Sequence, residues 1–336
     1  MRKLVIKLPK ASYTPGEEIS GSLEVICDKP FDSNGTTISI QGIMEVKGES
    51  YPKAPKDKVT IETKTLVQAL LGEAILLSPP RRYEAGTHKF NFSFHLPPST
   101  CRIRDNLEIS SGIFPSYDGR YASIEYSIQA EIEVSRFRNV KTKTPLSIII
   151  PVERTSKRLQ MHVVEKGEEI VEFETDTRDL CIGSPLELRC RFNSYQLISK
   201  VQFEIIHNES TRVEYARNVH SQTYCKVDVR PRKQDIGKWQ TLVLEPKHNM
   251  PQSFRTKHVR SEAVLKVTVQ LTDRSKKESL VRLMAIRCSP RKVQTEVPKH
   301  YCPHCQEELS DISGVVRPDG SVICPKCFKR FTPQNL

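Results

Sequence analysis

The stretch Ser123–Val134, SIEYSIQAEIEV, places Ile124, Tyr126, Ile128, Ala130, Ile132 and Val134 on alternate positions, with Ser123, Glu125, Ser127, Gln129, Glu131 and Glu133 between them. Successive side chains of an extended chain point to opposite faces, so this alternation predicts a long strand with one dry side and one wet side. HKFNFSFHL (His88–Leu96) repeats the pattern with Phe90, Phe92, Phe94 and Leu96, and AVLKVTVQL (Ala263–Leu271) repeats it with Leu265, Val267 and Val269. Turn signals such as Thr14-Pro15-Gly16, Asn34-Gly35 and Asp118-Gly119 separate such runs. A sheet with one apolar face buries it against a second sheet, so the prediction is antiparallel sandwiches and an all-β fold. Helical periodicity is nearly absent. The single candidate, LVQALLGEAILL (Leu66–Leu77), is interrupted by Gly72 and followed by SPPRRYEAG, and reads as strand, turn, strand.

Two halves share an order of events. PGEEISGSLEV (Pro15–Val25) is echoed by IGSPLELRCRF (Ile182–Phe192), each with a turn glycine leading into an alternating strand. FPSYDGRYASIEYSIQAEIEV (Phe114–Val134) is echoed by MPQSFRTKHVRSEAVLKVTVQL (Met250–Leu271), each with a proline-containing loop leading into the longest strand of its half. The joint is expected within PLSIIIPVERTSKRL (Pro145–Leu159). The expected organisation is a sandwich over 1–151, a second over 152–298, and a small module over 299–336.

That last module is a metal-site candidate. Cys302 and Cys305 form one C-x2-C pair and Cys324 and Cys327 another, with eighteen residues between. Thiolates two residues apart converge on one point when the chain between them turns tightly, and Pro303 and Pro325 stiffen both turns. Four sulfurs suit tetrahedral Zn²⁺, and GVVRPDGSVI between the pairs reads as a hairpin, so the segment is expected to be a zinc ribbon. Two disulfides or unbound thiols are the alternative. A site of four thiolates leaves no open position for water, which makes the expected zinc structural, and so few residues bury too little core to fold without it. Cys27, Cys101, Cys181, Cys190, Cys225 and Cys288 have no paired spacing and read as small core or surface residues.

Charged residues make up 27 % of the 336 residues, and no apolar run approaches the roughly 20 residues of a membrane span. The amino-terminal MRKLVIKLPK lacks the apolar stretch of a signal peptide, so a cytoplasmic location with reduced thiols is expected. The net charge of +12 lies mostly in the middle: 27 Lys and Arg against 19 Asp and Glu over 152–298, but only 20 against 17 over 1–151. Such a surface attracts phosphates, acidic peptides and anionic lipid alike. The clusters that offer partner contacts are Lys3 with Lys7, Arg81 and Arg82 with Lys89, Arg102 with Arg104, Arg136 with Arg138 and Lys141, and Arg230 with Arg232 and Lys233; each taken alone also reads as a solvated surface. No phosphate-binding loop, nucleophile elbow or zinc-protease helix motif occurs in the sequence, and no enzyme is expected. His207, His220, His248 and His258 read as surface or strand residues, and Trp239 as a sandwich anchor.

YTPGEEISGSLEV near the start, GTHKFNFSFHLPPST (Gly86–Thr100) and FPSYDGRYASIEYSIQAEIEV, taken in order and spacing, resemble first-domain landmarks of the arrestin superfamily. The likeness is nearer to the arrestin-domain-containing and retromer arrestin-like members than to the receptor-desensitising arrestins. The resemblance covers residues 1 to about 290 and implies two tandem arrestin-like β-sandwiches acting as an adaptor or scaffold, in a family whose members bind membrane-protein tails, trafficking complexes or ubiquitin ligases. This chain departs from the receptor-binding pattern. Its first strand has Lys3, Val5 and Lys7 on one face but no adjacent lysine pair, it offers no match to the interdomain Arg/Asp set that senses phosphate, and it has no Pro-Pro-x-Tyr motif. The expected partners are peptide tails of membrane or trafficking proteins taken up on an open sheet edge, with the ribbon as an additional interaction module. A scaffold on anionic membrane surfaces and a nucleic-acid-associated factor binding phosphate backbone are the alternatives.

Overall fold

A computed structural model describes residues 2–50, 62–103, 107–134, 139–152 and 158–288, together with strand residues 300–301, 308–309, 322–323 and 330–331. Contacts divide the chain into one unit over Met1–Cys288 and another over Ser289–Leu336. The first unit is built from strands, as the alternation requires, with one 3-10 turn at Lys233–Asp235 among the described residues.

In the first sandwich, β1 (Arg2–Lys7), β2 (Ser12–Tyr13), β3 (Glu18–Cys27), β4 (Phe31–Ser50), β5 (Glu62–Ser78), β6 (Arg81–Tyr83) and β7 (Gly86–His95) are followed by β8 (Thr100–Ile103) and β9 (Leu107–Ser111). Then come β10 (Tyr117–Asp118), β11 (Ala122–Val134), β12 (Val140–Ile148) and β13 (Pro151–Val152). One layer is the three-stranded sheet β1-β3-β7, and the other runs β2-β12-β11-β4-β5, with β6 on β4 and β10 on β11. The dry face of β11 turns inward: Ile124, Tyr126, Ile128, Ala130, Ile132 and Val134 are all buried, against Leu23, Val25, Phe92 and Phe94 of the facing layer and its neighbours. Each such side chain contributes on the order of 1.5–3 kcal/mol by leaving water. Gly42 on β4 lies opposite Tyr126, where a Cβ would come within 2.5 Å of the ring. Its absence lets the tyrosine lie flat and accept the Phe114 N–H at 3.2 Å while donating to the Phe114 carbonyl at 3.0 Å.

The second sandwich comprises β14 (Leu159–Glu165), β15 (Glu168–Thr175), β16 (Asp179–Cys181), β17 (Leu186–Phe192), β18 (Ile198–Val213) and β19 (Ala216–Val229). It continues with β20 (Trp239–Leu244), β21 (Phe254–Arg255), β22 (Val259–Leu271) and β23 (Lys276–Cys288). The sheet β14-β15-β17-β20 packs on a larger one in which β22 pairs with both β18 and β23. Phe173, Leu188, Phe192, Phe203, Leu265, Val267 and Val269 form the second core. Chain segments cross the joint: β9 pairs with β21, and β13 pairs in parallel with β23, so the larger sheet includes strands that precede residue 152.

Three expectations are corrected. Leu66–Leu77 is not strand, turn, strand: it lies within the single strand β5, paired with β4, and Leu70 and Leu77 are extra residues at two bulges where the register shifts. Gly72 sits in the open with nothing near its missing Cβ, so it does not force a turn. Cys181 and Cys288 are not separate small residues but a disulfide, because β16 runs parallel to the end of β23 and brings the two sulfurs together across 107 residues. Trp239 is 39 % exposed and anchors no core.

In the second unit, β24 (His300–Tyr301) pairs with β25 (Glu308–Leu309), and β26 (Val322–Ile323) with β27 (Arg330–Phe331). Cys302, Cys305, Cys324 and Cys327 lie outside the described residues.

Candidate functional site

The basic residues singled out in the sequence separate into groups. Lys3 and Lys7 stand on the exposed face of β1, two positions either side of Val5. In register, Val5 faces Glu24 on β3 and Glu24 faces Lys89 on β7, so Lys3, Lys7 and Lys89 share the outer face of one sheet. Lys7 Nζ is 2.6 Å from Glu24. Among the described residues β1 is an edge of this sheet and pairs only with β3. Arg81 and Arg82 belong to the opposite layer through β6; Arg81 lies over the Tyr83 ring at 5.0 Å, and Arg82 Nε stands 3.4 Å from Glu84. Arg230, Arg232 and Lys233 lie in the second sandwich, after β19, where Arg232 N–H donates to Asp235 at 3.1 Å. The structure therefore places Lys3 and Lys7 on the edge strand β1, with Lys89 on the same outer face but on β7, the far strand of the sheet, across β3. Lys10, between β1 and β2, bonds Glu17 and, with the Thr14 N–H, holds that carboxyl below its ordinary pKa.

A second constellation, unread in the sequence, forms the seam between the sandwiches. Glu209 on β18 is 1 % exposed, and its carboxylate accepts the backbone N–H groups of Arg120 at 2.7 Å and Tyr121 at 3.0 Å. The turn that presents them needs Gly119, where a Cβ would stand 2.6 Å from the Glu209 oxygen. Around it Asn218 accepts the Glu49 N–H at 2.9 Å, and Gln252 donates to the Ile150 carbonyl at 2.6 Å. Each bond runs from a second-sandwich side chain to a first-sandwich backbone group. His207, two positions before Glu209, is a strand residue of β18 with a buried side chain: its Nε2 lies 2.8 Å from Ser261 Oγ, and its ring meets Tyr224 edge-on. Desolvation, with the nearby His220 charge, pushes its pKa down to about 4, so it is neutral at physiological pH. Burial, then Glu209, raises Tyr117. A cavity of about 410 Å³ opens beside the seam, with Ser116, Asp118, Gln222, Asn249 and Arg287 among its lining.

The outer face of the second sandwich's smaller sheet carries an ionic ladder. Register places Glu172 beside Arg191 and Glu174 beside Arg189, and each pair is joined, with Arg158 also on Glu174. Desolvation pushes Glu172 up, but hydrogen bonds from Gln160 and Arg191 and the Arg191 charge outweigh it and hold the carboxyl below its ordinary pKa. Trp239 lies against both guanidiniums, 5.6 Å from Arg189 and 5.0 Å from Arg191, which accounts for its place at the surface. Among the described residues no group of three or more His, Cys, Asp or Glu is placed to hold a metal. The buried Cys190 thiol is pushed up to about 12 by desolvation. No helix among the described residues is long and apolar enough to cross a membrane.

Two layers closed on a dry interior, joined to a second sandwich by hydrogen bonds across a polar seam, make an all-β fold consistent with a pair of arrestin-like β-sandwiches. Residues 3–154 match the family model described as "Arrestin (or S-antigen), N-terminal domain". The chain is similar to "Arrestin domain-containing protein 4" of Homo sapiens, at 22 % identity over 169 residues, 48 % of this chain and 38 % of that protein. It is similar also to "Arrestin domain-containing protein A" of Dictyostelium discoideum, at 26 % over 159 residues, 44 % of this chain and 26 % of that protein. The matched region thus spans well under half the length of either relative.

Proposed function

We propose that the protein is a non-enzymatic adaptor that takes up an extended, acidic peptide tail of a membrane or trafficking protein as an added strand on β1. The observation that carries this reading is the open edge of β1 with Lys3, Lys7 and Lys89 on the adjoining face. Unpaired edge N–H and C=O groups supply affinity without regard to sequence, while the cations select for acidic side chains at alternate positions. Likeness to arrestin-domain-containing proteins supports the adaptor class. Titrating labelled acidic tail peptides against the full chain tests it. Binding should weaken at least about tenfold in Lys3→Glu/Lys7→Glu, corresponding to about 1.4 kcal/mol, with an unchanged melting profile. Equal affinity in the double variant would remove the reading.

The C-terminal unit fits a zinc ion by the chemistry of its donors. The sequence supplies four thiols in two C-x2-C pairs, and each pair falls, by number, between the strands of one short hairpin, 300–301 with 308–309 and 322–323 with 330–331. Cys302, Cys305, Cys324 and Cys327 would hold the ion, whose contribution is folding free energy rather than reaction chemistry. The folded unit would then be a second contact module.

A further inference from the structure

We propose that β5 is a homotypic edge, through which two copies of this chain pair antiparallel about a two-fold axis and join their β2-β12-β11-β4-β5 sheets into one. β5 is the longest edge strand of the first sandwich, running from Glu62 to Ser78, and β4 covers only one side of it. Among the described residues no strand pairs with the other side. Edge strands are guarded against such pairing by Lys or Pro, by bulges and by inward-pointing charges; β5 has bulges at Leu70 and Leu77 and the inward Glu73, but no cation beyond Lys64 at its start. β1 has Lys3 and Lys7, and the edge strand β19 has Arg217 and Lys226, whereas the run Thr65–Pro80 contains no Lys or Arg in a chain of net charge +12. It is a place where two such cationic molecules can meet without setting like charges opposite each other.

The exposed face agrees with the edge. Val67, Ala69, Ala74 and Leu76 point outward with Ile43, which stands opposite Ala69 on β4. Val67 is 62 % exposed, Leu76 61 % and Ile43 41 %. Glu73, the one charged residue of Thr65–Pro80, stands opposite the buried Ile40 and so belongs to the other face. The same outward rows on β11 are polar, with Glu125 opposite Ile43 and Glu131 opposite Thr37. The apolar strip is therefore confined to the margin of the sheet. An apolar edge with no cation beyond Lys64 gives an acidic tail of the kind β1 would take few charges to pair with, and suits an equally apolar edge. A second copy supplies one, because a two-fold rotation lays the outward N–H groups of an antiparallel edge on its own carbonyls. The dimer would place the β1 edges of both copies outside the contact, since β1 belongs to the opposite layer.

Sedimentation velocity of the full chain over a concentration series reads this directly. The wild-type protein is expected to show a monomer–dimer equilibrium, and Val67→Lys/Leu76→Lys to weaken dimerisation about tenfold or more while melting at the wild-type temperature. Amide hydrogen exchange requires no substitution: amides within 65–77 should exchange more slowly as concentration rises. A wild-type protein that remains monomeric, a dimer that survives in the double variant, or a dimer without added protection of β5 would each overturn the proposal. None of these results depends on peptide binding at β1.

Discussion

His207 shows how a single buried residue ties the joint between the sandwiches to pH. Its folded pKa, about 4, lies below the value of 6.5 that applies to the unfolded chain. Between those values the unfolded chain binds a proton that the folded one refuses, so stability falls as the pH drops from 6.5 toward 4 and the loss is complete below 4. The full effect is about 3 kcal/mol. Chemical denaturation across that window should show a steeper acid loss in the wild type than in His207→Gln; parallel curves would show that the histidine is not desolvated. At this scale the sequence revealed half of the joint. It showed which residues are apolar at alternate positions, because water on one face imposes that alternation. It did not show Glu209 as a clasp, because the partners are backbone N–H groups 89 and 88 residues away, which carry no side-chain signature.

Among the elements, β11 was readable because its two faces meet different solvents, whereas β5 was not, for the physical reason that an edge strand is wet on both faces for much of its length. Leu66, Leu70, Leu71 and Ile75 are only partly buried, and a bulge at Leu70 shifts the alternation by one residue. Trp239 misled in the same way, since a large ring can be held by two guanidiniums as well as by a core. The Cys181–Cys288 bond depends on β16 lying parallel to β23, a pairing set by topology rather than local pattern. A cross-link closing a loop of about 100 residues restricts the unfolded chain by up to about 4.7 kcal/mol. Reduction, or Cys181→Ser, should therefore lower the denaturation midpoint of the 1–288 unit, and peptide mapping without reductant should recover the linked pair. Equal midpoints with and without reductant would show that the cross-link adds nothing to stability.

The whole molecule combines a pair of sandwiches that share sheet strands with a separate C-terminal unit. If zinc folds that unit, a chelator should abolish its protection from protease while the melting of the 1–288 unit stays where it was, and metal analysis should find one ion per chain. A chain that purifies without zinc and resists protease regardless would exclude the metal's role. The adaptor reading rests on the other unit. Its most direct measurement is amide hydrogen exchange of the full chain with and without a saturating acidic tail peptide. The account predicts slowed exchange at the outward amides of β1, reversed by Lys3→Glu/Lys7→Glu. A bound peptide that leaves β1 exchanging at its free rate would contradict it.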